Sequence, residues 1–413
     1  MNFRTTPLNV NGRQYRPPEV PVVVICIDGC EDDYLATSIA EGCMPTVEAM
    51  ATNGYRGMAR GALPSFTNVN NAAIATGAPP AITGISGNFF LDPESDEEVM
   101  MNSADYLRAE TIFAAAARAG RRVAVVTAKE KLRDILSKDL AGIAFSAEKA
   151  NEAQIESHGI EGVEELVGQA TPEIYSAEAS LFVLRAGVAL LEQGMADFLY
   201  LSLTDYMQHK FSPDKPESLE FHRAMDVELG RLLATGAVVA ATADHGMNSK
   251  NLPDGTPNVI YLETMLAEQF GPGVKVICPI TDPYVAHHGA LGSLVMVHLA
   301  DGMESTGIAA WILDLPGVTE VHDRETAARL LELPADRIGD LTVLSDRHVV
   351  LGRTPADHDL QLLAGGLRSH GGRFEEMVPL IFSHPLNEQY LARAKDDPRN
   401  FDIFDYACNG VVL

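Results

Sequence analysis

Two apolar patterns alternate along the chain. Short runs rich in Val, Ile, Leu and Ala stand at residues 22–27, 122–127, 198–203, 237–242 and 378–382. Each run is apolar on both prospective faces, as a strand is when helices cover a parallel sheet on both sides. Between the runs the period lengthens to that of a helix. Residues 44–50 open on Pro45 and close before Gly54, and residues 67–76 stop at Gly77 and Pro79-Pro80. Further helices are predicted at 111–119, 173–193 and 217–233. This alternation predicts an α/β fold with a mostly parallel central sheet flanked by helices and joined by right-handed crossovers.

The rhythm changes after Met247. Short runs at 274–278, 294–299, 318–322 and 341–351, with one clear helix at 324–333, predict a smaller α+β cap domain inserted at 248–366. The core would then comprise residues 1–247 and 367–413. No internal repeat or low-complexity tract interrupts the chain.

Composition narrows the function classes. The 413 residues carry a formal net charge of -26, which argues against non-specific binding to nucleic acid or anionic membrane. An anionic substrate would need local positive charge from metal ions and a few lysines. The five cysteines (Cys26, Cys30, Cys43, Cys278, Cys408) show no framework spacing, which predicts reduced thiols. The N-terminus lacks the apolar core of a signal peptide, and no apolar run approaches the ~20 residues of a membrane span. A cytoplasmic enzyme, monomeric or homodimeric, is the expectation.

Candidate chemistry gathers where the strands end. Ligands of open parallel sheets bind beyond the carboxyl ends of strands. Asp28, Asp205 and Asp244 each follow a predicted strand, so one fold places them at one rim. His209 lies four residues after Asp205, on the same face if the chain turns helical. His245 adjoins Asp244, and His370 stands in a late Ser369-His370-Gly371-Gly372 turn. Any one of these aspartates could be a helix cap or turn former. Together, carboxylates with imidazoles make a ligand set suited to Zn²⁺, with Mn²⁺ or Fe²⁺ as alternatives.

Two other segments join them. Gly61-Ala62-Leu63-Pro64-Ser65-Phe66-Thr67-Asn68 carries a hydroxyl to a helix N-terminus, where free N–H groups and the dipole favour an anion. By position alone Thr67 is an N-cap. It becomes a nucleophile only where a metal stabilises its alkoxide. Lys129 and Lys131 follow the strand at 122–127 and point the same way if the extended geometry continues. They are either solvated surface charges or, at the metal rim, binders of a carboxylate beyond a phosphoryl group.

In their order, Asp28, Thr67, Asp205…His209, Asp244-His245-Gly246 and His370-Gly371-Gly372 resemble the alkaline phosphatase superfamily, in its branch with nucleotide pyrophosphatase/phosphodiesterases. The resemblance implies an alkaline phosphatase-like core and two Zn²⁺. Asp205, His209 and His370 would hold one. Asp28, Asp244 and His245 would hold the other, with Thr67 bound to it and attacking phosphorus. Asn88 matches the family asparagine that contacts a phosphoryl oxygen, a turn residue after Gly87 being the other possibility. Lys129-Glu130-Lys131 is similar to the superfamily members that split phosphonoacetate into phosphate and acetate. That likeness implies a small anionic phosphonate substrate, a phosphothreonine on Thr67, and Lys129 and Lys131 on the substrate carboxylate.

Two other functions stay open at this point. A phosphodiesterase or nucleotide pyrophosphatase would use the same metals with a nucleoside slot built from Phe66, Phe89 and Phe90. A non-catalytic metal-binding sensor would need no hydroxyl at Thr67. His287, His288 and Arg353 in the cap either are structural or reach the substrate, and Glu375 and Glu376 either orient ligands or are solvated surface charges.

Overall fold

A seven-stranded sheet gathers the apolar runs. The computed structural model describes residues 6–281, 289–363 and 366–413. In chain order its principal strands are β1 (Val22–Cys26), β2 (Tyr55–Arg60), β3 (Val123–Thr127), β4 (Ile143–Ser146), β5 (Phe198–Ser202), β6 (Val238–Thr242), β7 (Val274–Ile277), β8 (Leu294–Leu299), β9 (Val318–Asp323), β10 (Leu341–Ser345) and β11 (Met377–Phe382). The large sheet runs β2-β11-β6-β1-β5-β3-β4. From β6 to β4 all pairings are parallel, and β11 runs antiparallel to both β6 and β2.

Every residue of β1, β3, β5 and β6 is buried. Side chains alternate faces along a strand. Val22, Val24 and Cys26 therefore join one apolar cluster with helix α1 (Thr67–Thr76), which contributes Val69, Ala72 and Ala73. Val23 and Ile25 join the opposite cluster, built on helices α2 (Ala177–Glu192) and α4 (Pro216–Ala234). Between these two helices lies the short helix α3 (Tyr206–Lys210).

Two edge strands escaped the apolar pattern. In β2 two arginines and a glycine break the run, because an edge strand is buried on few sides. In β4 only four residues carry the signal. The helix predicted from 173 begins at Ala177, where Ser176 is already extended at φ -146°. The run at 341–351 divides: β10 stops at Ser345, and Val350–Gly352 crosses to pair with Val259–Tyr261.

The second sheet is antiparallel, in the order β7-β8-β10-β9. Its Val276, Val295, Val297, Leu341 and Val343 belong to the same apolar cluster as the Val22 face of the large sheet. At the root of this segment, Asn248–Ser249 pairs antiparallel with Arg368–Ser369. The chain thus leaves and re-enters the rim of the large sheet at one place. All five cysteines are buried and free. Among the described residues no helix is long and apolar enough to cross a membrane.

Candidate metal centre

Strand register brings the candidate ligands to one level. Cys26 lies opposite both Thr242 and Ser202, and Ser202 lies opposite Thr127. Asp28 and Asp244 each follow their strand by two residues and Asp205 by three. Lys129 follows Thr127 by two.

Two triads result, Asp28 with Asp244 and His245, and Asp205 with His209 and His370. All six residues are buried, and within each triad the ligand atoms lie within 4.8 Å of one another. The triads adjoin, since the His245 and His370 rings stack at 3.5 Å between centroids. Backbone carbonyls fix all three imidazoles: His209 Nδ1 faces Arg368 O at 2.8 Å, His245 Nδ1 faces Gly246 O at 2.9 Å, and His370 Nδ1 faces Ser65 O at 2.7 Å. A carbonyl can only accept, so each Nδ1 carries the hydrogen and each Nε2 is left as a ligand atom.

The carboxylates fit a cation. Both oxygens of the wholly buried Asp28 lack a hydrogen bond among the described residues, though His245 Nε2 stands 3.3 Å and Lys129 Nζ 3.8 Å away. A buried carboxylate without donors is costly unless neutralised. Accordingly burial, together with Asp205 and Asp244, pushes the Asp28 carboxyl up to about 8. Burial opposes a charge on His245, yet Asp244 and Asp28 outweigh it and raise the imidazole to about 10. Asp205 moves the other way, because Lys129 and His209 overcome its burial. His370 is lowered by burial and by its two histidine neighbours. A divalent cation in the Asp28 triad would replace the protons that now compensate its charge.

Thr67 is the first residue of α1, with Phe66 rather than Thr67 at the cap position. Its Oγ1 lies 3.4 Å from His245 Nε2, on the side of the Asp28 triad. The backbone N–H of Asn68 donates to Asn88 Oδ1 at 3.0 Å. That bond orients the Asn88 amide, so its Nδ2 is the end able to donate to an anion at the helix terminus. The turn carrying His370 is pressed against the same segment. Gly371 adopts φ +120°, and a Cβ there would fall 2.4 Å from the Phe66 ring, so only glycine fits.

Both lysines line one cavity of about 410 Å³, with Glu130, Glu148, Lys149, Ile174 and Tyr175. Their geometry differs from two residues on an extended chain. Lys129 is extended and caps a helix, Glu130–Leu136, in which Lys131 sits. Lys129 Nζ reaches Asp205 Oδ1 at 3.1 Å and so bridges the two triads. Burial opposes its charge, but Asp205 and Asp28 raise it above the usual lysine range. Lys131 is lowered to about 7 by burial and by Lys129.

Other candidates lie elsewhere. Arg353 pairs with Glu98 at 3.0 Å and Glu263 at 3.4 Å, while Glu376 pairs with Arg373. Phe66 and Phe90 are buried against His370 and Tyr106 respectively, and Phe89 joins a separate cluster with Leu63. His287 and His288 fall outside the described residues. Sequence reasoning missed Ser65 and Asn71. Asn71 sits one helical turn after Thr67 and donates to Asp244 Oδ2 at 3.3 Å, and its Oδ1 accepts from Tyr200 and Ser202. Its place four residues after Thr67 was the available signal.

Comparison with known proteins finds relatives over nearly the whole chain. The family model described as type I phosphodiesterase / nucleotide pyrophosphatase matches residues 22–372. Phosphonoacetate hydrolase from Sinorhizobium meliloti 1021, solved in complex with phosphonoformate and with phosphonoacetate, is 44% identical. The match covers 99% of this chain and 100% of that one, with a TM-score of 0.93. Murine ectonucleotide pyrophosphatase / phosphodiesterase 5 shares the fold at 16% identity and a TM-score of 0.63, covering 95% of this chain and 96% of that one.

Proposed function

The chain belongs to the type I phosphodiesterase / nucleotide pyrophosphatase family of the alkaline phosphatase superfamily and is a hydrolase, and we propose that it cleaves the C–P bond of phosphonoacetate to give phosphate and acetate. The observation that carries this reading is the placement of Lys129 and Lys131 in one cavity beside two metal-competent triads. Two ammonium groups there suit a substrate with a carboxylate beyond its phosphoryl group.

Asp28, Asp244 and His245 would hold one Zn²⁺, and Asp205, His209 and His370 the other. When bound, the pair supplies Lewis-acid stabilisation of the Thr67 alkoxide, the phosphoryl oxygens and the attacking water. Thr67 Oγ1 attacks phosphorus in line with the C–P bond, and its hydroxyl proton passes to solvent, which later returns one to carbon. An O–P bond forms, the C–P bond breaks, and its electron pair passes to carbon. Carbon leaves poorly, having no lone pair to protonate, so the adjacent carboxylate must spread the charge as an enediolate. Lys129 and Lys131 stabilise that charge most where it is greatest, in the transition state. Protonation at carbon yields acetate.

Asn88 Nδ2 and the N-terminus of α1 hold the phosphoryl oxygens. Water then attacks the phosphothreonine from the side of Asp205, His209 and His370. The P–Oγ1 bond breaks, the hydroxyl recovers its proton, and phosphate departs.

The test is phosphate release by the zinc-loaded protein from phosphonoacetate, other phosphonates, phosphomonoesters and a nitrophenyl phosphodiester. Phosphonoacetate should be turned over fastest. Faster release of nitrophenol from the diester would overturn the C–P assignment in favour of a phosphodiesterase.

A further inference from the structure

Lys250 and Glu375 form an ion pair at 2.8 Å in which neither side chain is exposed at all. Lys250 Nζ also donates to Ser293 Oγ and to the Arg347 carbonyl, each at 2.7 Å, which uses all three of its hydrogens. Glu375 Oε1 accepts from Asn248 Nδ2 at 2.7 Å, and its Oε2 accepts from the Gly372 N–H at 3.1 Å. The Glu375 carbonyl accepts from the Gly246 N–H at 2.8 Å. The Glu375 side chain therefore holds the turn after His370, while its backbone carbonyl, which no side-chain substitution removes, holds the turn after His245.

The partners come from separate parts of the chain. Asn248 and Lys250 begin the segment that leaves the large sheet, Ser293 and Arg347 lie within it, and Glu375 lies just after its return. The opposite side of the same turn is held by Ser65, whose Oγ donates to the Gly372 carbonyl at 3.0 Å and whose carbonyl fixes His370. The His370-Gly371-Gly372 turn is thus clamped between the Thr67 loop and the root of the inserted segment.

Stability alone does not call for such a pair, because well-packed apolar side chains of similar volume commonly serve as well. What apolar side chains cannot do is accept the Gly372 N–H. We propose that Lys250 and Glu375 are positioning residues that set His370 against Asp205 and His209, and so determine how tightly that triad holds its divalent cation. The proposal rests on the two-metal reading of the site.

The experiment compares zinc affinity by competition with a chromophoric chelator in the full-length wild type, Lys250→Met and Glu375→Gln, with thermal unfolding to confirm folding. In Lys250→Met one of two zinc ions should be held about tenfold more weakly, as when an outer-sphere partner of a ligand is lost, while the other is unchanged. Turnover should fall at limiting zinc and recover at excess zinc. Glu375→Gln keeps an acceptor for Gly372 and should show a smaller loss of the same sign, and it decides the matter if Lys250→Met does not fold. Folded variants that hold both ions as wild type does, or that lose both alike, would overturn the positioning role. Failure of the wild type itself to take up two zinc ions would instead overturn the two-metal reading.

Discussion

Zinc affinity at the Asp28 triad should depend steeply on pH, and the structure fixes the slope. In the metal-free protein Asp28 titrates at about 8 and His245 at about 10, so at pH 7 both hold a proton. A cation needs the carboxylate ionised and His245 Nε2 bare, so binding expels both. Affinity should then rise by about a hundredfold per pH unit below 8, by about tenfold per unit between 8 and 10, and level off above. The Asp205 and His370 ligands, shifted in the opposite directions, already have metal-ready protonation states and contribute no such slope.

The sign for stability follows from the same groups. Both folded pKa values are raised. The stabilisation from the Asp28 proton is full below the usual carboxylate range and lost as pH climbs through about 8. That from His245 is full below the usual imidazole range and lost through about 10. The metal-free protein should therefore melt at progressively lower temperature as pH rises toward and through about 8, while zinc stabilises it increasingly. Chelator competition across pH, with calorimetry in buffers of different ionisation enthalpy to count released protons, measures both. A slope near zero, or an unchanged slope in Asp28→Asn, would refute the assignment of protons to this pair.

Thr67→Ala should retain both zinc ions by metal analysis yet lose phosphate release by on the order of a thousandfold or more; loss of the metals as well would remove the case for a nucleophile. At saturating zinc, KM for phosphonoacetate should rise above pH 7 by up to about tenfold per unit, as Lys131, lowered to about 7, gives up its charge. Lys131→Met should show a raised KM without that dependence, and a flat wild-type profile would exclude Lys131 from carboxylate binding. Away from the site, Arg121 is buried on Asp197 through bonds of 2.7 Å to the carboxylate and 2.9 Å to the carbonyl. Asp197→Ala should cost about 3–5 kcal/mol in urea unfolding, the usual penalty for stranding one member of a buried pair.

Local pattern suffices for the frame. Short apolar runs rich in β-branched residues read as strands covered on both faces, and the helical periods between them call for crossovers, so a parallel sheet was legible in the sequence. Since parallel strands all point one way, aspartates directly after their ends had to meet at one rim. Asp28, Asp205 and Asp244 were readable for that reason, and His209 and His245 for their spacing from them.

Contacts between distant residues leave no local signal, and they set the rest. The antiparallel direction of β11 was hidden because an apolar run does not encode the direction of its strand, and the edge strand β2 because it is buried on few sides. Lys131 turned out helical and Lys129 bridged two triads, since burial beside carboxylates at the rim, not local extension, sets where an ammonium settles. The Nδ1–carbonyl bonds that leave each Nε2 for a ligand join residues up to 305 positions apart, and no local pattern encodes such a pairing. Lys250 and Glu375 stand 125 positions apart, and nothing local to either marks the other as its partner. Burial of both at the root of the inserted segment is a property of the packed chain alone.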